Sequence, residues 1–152
     1  MVKFQPKTKE ELKELVDNLE INLGDIDTSL ITDMSYLFNS TDRKDFSGIE
    51  AWDVSNVTNM SGMFEKAKAF SQPLEKWDVS KVTSMSRMFA EAESLNQPLN
   101  NWDVSNVTNM CGMFRNATSF NQPLDSWDIS NVDCMDDMFE GAKAYTYGEL
   151  EN

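Results

Sequence analysis

Histidine is absent from all 152 residues. The commonest general base and the commonest metal ligand are therefore missing. Basic side chains are scarce as well: 13 Lys and Arg stand against 26 Asp and Glu, a formal net charge of −13. Such a field repels phosphate backbones, which argues against nucleic acid as a partner, and it favours basic partners or cations. No apolar run approaches the ~20 residues of a membrane span. The N-terminus, Met1-Val2-Lys3-Phe4-Gln5-Pro6, lacks the apolar stretch of a secretion signal. Neither a phosphate loop nor a zinc-ligand spacing occurs. What is present is a 40 % hydrophobic chain, long enough to bury a core as one domain.

The apolar residues are not scattered. Trp52, Trp77, Trp102 and Trp127 are 25 residues apart and are the only tryptophans. Each is followed by Asp (53, 78, 103, 128), then Val or Ile, then Ser (55, 80, 105, 130). Met60, Met85, Met110 and Met135 follow, then Met63, Met88, Met113 and Met138, and then Phe64, Phe89, Phe114 and Phe139. The segment from Ile26 to Phe38 keeps the same spacing, with Ile26 in the Trp column. Five tandem repeats result: 26–51, 52–76, 77–101, 102–126 and 127–151. The first is one residue longer, with its irregularity around Ser40 to Lys44.

Within one repeat, Leu74, Trp77 and Val79 read L-x-x-W-x-V, a strand spacing in which Trp and Val face inward and Asp78 outward. Met85, Met88, Phe89 and Ala92, spaced three, one and three, read as one face of a short helix with Thr83 as its N-cap. Gln97-Pro98 ends the segment. Stacked repeats would place Trp52, Trp77, Trp102 and Trp127, and Phe64, Phe89 and Phe114, in a continuous core. Residues 1–25 form an N-terminal cap: Thr8-Lys9-Glu10-Glu11 is a capping-box pattern, and Leu12, Leu15, Val16 and Leu19 make an apolar stripe on a helix over 9–20, before Gly24. The expected fold class is α/β: a right-handed leucine-rich-repeat-like solenoid, with a parallel sheet on one side and short helices on the other.

The units Trp52–Phe64 (W-D-V-S-N-V-T-N-M-S-G-M-F) and Phe120–Leu124 (F-N-Q-P-L) resemble the BspA-like leucine-rich repeat family, in its 25-residue bacterial surface-protein subgroup. The resemblance implies a cell-surface or secreted protein, with adhesion to host matrix or cell-surface proteins as its role.

Four sets of residues invite a functional reading. The Asp column stacks like charges about 5 Å apart, a repulsion of roughly 1–3 kcal/mol per pair that something must offset. Hydrogen bonds from the Ser two residues on would do so, and a cation such as Ca²⁺ shared along the column is the alternative. The methionine columns read as core filling rather than as a soft-metal site. Cys111 and Cys134 stand in polar columns at different phases of adjacent repeats, which leaves a disulfide open without requiring it. The outward positions flanking the Trp column vary between repeats, and Glu75, Lys76, Asp78, Asn100, Asn101 and Asp103 at their centre are the candidate partner-binding residues. With no convergent catalytic set, the expectation is a non-enzymatic interaction module without cofactor or metal. A structural spacer or repeat array without a dedicated ligand, or a cytoplasmic scaffold, is the alternative.

Overall fold

The computed structural model describes residues 2–151. Its first element follows directly from local chemistry. The Thr8 hydroxyl accepts from the Glu11 N–H at 3.1 Å, and the Glu11 carboxylate accepts from the Lys7 N–H at 2.7 Å. These bonds satisfy donors that a helix start leaves exposed. The helix they open, α1, spans Lys9–Asp17. It buries Leu12 and Val16 and half-buries Leu15. It stops short of residue 20, because Asn18 turns extended, and Leu19 is left 54 % exposed.

The end of α1 is fixed by a residue far along the chain. Arg43 is buried, and its guanidinium donates to the carbonyls of Val16 (2.9 Å), Asn18 (3.0 Å), Ile21 (3.2 Å) and Asp45 (3.3 Å). Carbonyls at a helix C-terminus lack intrahelical partners, and a fork of N–H donors satisfies several at once. Arg43 lies in the Ser40–Lys44 irregularity of the first repeat. That irregularity seats the lock between the helix and the stack.

Beyond α1 and two short 3-10 turns, Leu23–Asp25 and Ile49–Ala51, no further helix and no multi-residue strand forms among the described residues. Adjacent repeats meet at isolated parallel bridges: Asp33 with Asn59, Asn59 with Ser84, Ser84 with Asn109, and Asn109 with Cys134. The N–H groups of Met34, Tyr36, Phe38 and Ser40 donate to the carbonyls of Asn59, Ser61, Met63 and Glu65 at 2.8–2.9 Å. Met60, Gly62, Phe64 and Lys66 repeat this row one step on, as do the rows starting at Met85 and Met110.

The chain is thus a stack of coils built from turns. This corrects the expected leucine-rich-repeat solenoid in both of its halves. The Met-Phe segment is not a helix. Every second N–H goes to the next coil, and those between close short turns, as Leu37 does to the Met34 carbonyl at 3.3 Å and Thr41 to that of Phe38 at 3.2 Å. Tyr36 and Ser40, third in these two turns, have φ of 57° and 56°. Two consecutive four-residue turns give the same three-one-three apolar spacing as one helical face. Thr83 is accordingly no N-cap. Its N–H donates to the Thr58 carbonyl at 2.8 Å, and its hydroxyl to the same oxygen at 3.2 Å.

The Trp segment is not a strand of a parallel sheet either. Side chains alternate as expected, with Trp77 and Val79 buried around exposed Asp78. The coils are joined here chiefly by side chains. The indole N–H groups of Trp52, Trp77, Trp102 and Trp127 donate to the buried carbonyls of Leu23, Ile49, Leu74 and Leu99 at 2.8–3.0 Å. Asn56, Asn106 and Asn131 amides donate to the carbonyls of Ser29, Ser80 and Ser105 at 2.7–2.9 Å.

Between the two segments lies the core. Phe38, Phe64, Phe89, Phe114 and Phe139 form one file of stacked rings, with centroids 5.4–5.7 Å apart. Met34, Met60, Met63, Met85, Met88, Met110 and Met113 are fully buried beside them. Only the last coil is thinner, with Val132, Met135 and Phe139 half-buried.

Candidate functional site on the Trp-Asp face

Each Asp of the column opens a turn with the Ser two residues on. Asp53, Asp78, Asp103 and Asp128 accept through Oδ1 from the Ser N–H at 3.0 Å and from the Ser hydroxyl at 2.6 Å. Asp27 accepts from the Ser29 N–H at 2.9 Å. Hydrogen bonds to a carboxylate favour its charged form. The Ser80 and Ser130 hydroxyls, and then their N–H groups, hold Asp78 and Asp128 below the ordinary aspartate range. The Ser29 N–H chiefly does the same for Asp27. The column is therefore made of separate, locally satisfied turns, and its carboxylates do not converge on a common cation. Among the described residues, the group of His, Cys, Asp and Glu ligand atoms that does converge, within 4.8 Å, is Cys111, Cys134 and Asp136.

The expected partner-binding residues share this face but divide by role. Glu75, Lys76, Asp78, Asn101 and Asp103 are exposed, and Asn100 is half-buried. The Asn101 amide donates to the Glu75 carbonyl at 3.0 Å. Asn100 donates to Asp125 Oδ1 at 3.1 Å and accepts from the Ser126 N–H at 2.9 Å. These two asparagines tie coil to coil. Glu75 and Lys76 point their side chains outward beside Glu50, Ala51 and Pro73, where they line a shallow hollow of about 370 Å³. The face as a whole is acidic. Its windows 50–56, 75–81, 100–106 and 125–131 hold seven carboxylates (Glu50, Asp53, Glu75, Asp78, Asp103, Asp125, Asp128) against Lys76 and Lys81.

One feature escaped the sequence reading, and one was left open by it. Arg43 carried no signal except the repeat irregularity around it. The cysteines are joined as a disulfide, Cα–Cα 5.4 Å, between the fourth and fifth coils. Their different phases concealed this, yet the same two columns meet at an earlier step, where the Ser61 and Ser84 hydroxyls lie 2.6 Å apart.

No curated protein and no solved structure matches the chain significantly. A family model does match, over residues 9–100 and again over 32–151, two overlapping placements that reflect the internal repetition. It is not a leucine-rich repeat model, and with no sheet and no helix within the repeats among the described residues it overturns the resemblance to the BspA-like family. The chain belongs to the family described as Mycoplasma protein of unknown function, DUF285.

Proposed function

We propose that the chain is a non-catalytic protein-binding module that offers its acidic Trp-Asp face to a basic partner. The observation that carries this is the imbalance of seven carboxylates to two lysines on one repeated face. Like-charge rows cost stability, and here Asp78 and Asp128 are held ionised by their own Ser turns. A fixed row of one sign steers an oppositely charged partner and raises its association rate. The backbone beneath is tied coil to coil, so little ordering entropy is lost on binding. No helix among the described residues is long and apolar enough to cross a membrane.

The test is capture of partners from a panel of basic proteins that includes host matrix and cell-surface proteins, followed by the double variant Asp78→Lys, Asp103→Lys. A tenfold or greater loss of affinity, with binding of the wild type weakening as ionic strength rises above about 0.1 M, supports the reading. Unchanged affinity for every captured protein overturns it. One observation favours a spacer instead: Asn100 and Asn101, which stand in columns that vary between repeats, are engaged in holding coils together. A spacer captures no partner and tolerates the charge reversal silently.

A further inference from the structure

Coil-to-coil contact is noncovalent throughout the stack except at one step. The columns of Cys111 and Cys134, which meet there, are occupied one and more coils back by small polar residues: Ser35, Ser61 and Ser86 in one, and Asn59, Ser84 and Asn109 in the other. At the second step Ser61 meets Ser84, and the two hydroxyls share a hydrogen bond of 2.6 Å. At the fourth step the same pair is Cys111 and Cys134, joined covalently.

The exchange has a local cost that marks it as more than a drift between Ser and Cys. Asp33, Asn59, Ser84 and Asn109 each accept from the N–H two residues on, at 2.8–3.5 Å. That bond shapes the turn at every bridge. A thiol sulfur is a weak acceptor, and among the described residues Cys134 makes no such bond. The position gives up its turn bond and gains a covalent link. It does so at the one interface where the next coil is thin, with Val132, Met135 and Phe139 half-buried where their counterparts one coil back, Val107, Met110 and Phe114, are fully buried.

We propose that Cys111–Cys134 is a redox site that staples the terminal coil to the stack, and that reduction releases that coil. The electron balance is simple. A dithiol reductant gives up two electrons and two protons and becomes a disulfide, and Cys111 and Cys134 become two thiols. What reduction then exposes is the row of N–H groups of Met110, Gly112, Phe114 and Asn116, now bonded to the carbonyls of Cys134, Asp136, Met138 and Glu140. The site implies that the oxidised form works in a compartment that preserves disulfides.

Amide hydrogen exchange on the whole chain, with and without a dithiol reductant, tests this, alongside a thiol count on protein prepared without reductant. The oxidised protein should show no titratable thiol. Reduction should speed exchange at Met110, Gly112, Phe114 and Asn116 at least tenfold, while Met60, Gly62, Phe64 and Lys66 stay unchanged. Melting should fall by about 5–10 °C, as expected for opening a loop of this length. The double variant Cys111→Ser, Cys134→Ser restores the Ser61–Ser84 pairing chemistry and should behave as the reduced protein. Three results would overturn the proposal: two free thiols in the unreduced protein, equal exchange in both states, or a reduced protein that binds one Zn²⁺ through Cys111, Cys134 and Asp136 and melts as the oxidised one does.

Discussion

The two long sides of each coil both bury apolar side chains but hold to their neighbours by different means. The Met-Phe side is joined by main-chain hydrogen bonds, four per step. The Trp-Asp side is joined mainly by side chains, above all the indole N–H on a buried carbonyl. The difference sets what each side tolerates. Main-chain bonds are indifferent to side-chain identity but demand a particular backbone. Side-chain bonds leave the backbone freer but demand particular residues. Tryptophan is accordingly fixed in four successive repeats, while Gly62, Arg87, Gly112 and Asp137 share one left-handed position on the other side, with φ of 56–63°.

The largest effect should come from removing what the Trp side cannot replace. Trp102→Ala should cost about 3–5 kcal/mol in a denaturant titration. Trp102→Phe keeps most of the apolar bulk and removes the indole bond to the Leu74 carbonyl, which keeps the Trp77 N–H as a donor, and should cost about 0.5–1.5 kcal/mol. If Phe proves neutral, the indole bond does not couple the coils and the contrast between the sides fails. Next comes the backbone demand of the Met-Phe side. Gly62→Ala adds a Cβ that collides with the Tyr36 ring at a left-handed position, and should cost about 2 kcal/mol.

A smaller effect tests the Asp turns. Asp27, Asp78 and Asp128 have folded pKa values held below the ordinary value by their Ser partners. Their contribution to stability is fully present above the unfolded value of about 3.9, and it is lost as pH falls through the lower folded value. Melting temperature should therefore drop as pH is lowered below about 4, and Ser80→Ala should flatten that drop while costing about 0.5–1 kcal/mol near neutrality. The smallest effect has the opposite sign. Arg87→Gly relieves a left-handed residue at the loss of a long, half-exposed ion pair at 3.8 Å, in which Arg87 is exposed and Glu65 largely buried, for a net gain of about 0.5 kcal/mol. A loss there would mean that the position is not strained.

Much of this molecule was legible in the repeat spacing. The inward set of Trp, Val, Met and Phe is the buried set, because apolar side chains at fixed intervals leave a regular chain few other ways to cover them. The helix start at Thr8 was legible because its capping bonds are local. The conformation of each side was not. Turns in series and a helix share one apolar spacing, and an alternating segment reads as a strand whether or not its N–H groups find a neighbouring chain. On the candidate face, the exposure of Glu75 and Lys76 followed from their position beside Trp77. The engagement of Asn100 and Asn101 between coils did not, since their partners lie about one repeat away.

By itself the sequence determined a period, an inward-facing residue set, an acidic exterior and a helical cap. Each of these depends on neighbours in the chain or on charge summed over it. Only the tertiary structure decided which side carries the backbone ladder, that Arg43 locks α1, and that Cys111 meets Cys134. Those are pairings between groups some 23–27 residues apart, and they depend on how one coil is set upon the next. A shift of two positions between coils brings two cysteines of different phase into contact, and no pattern within one repeat records that shift.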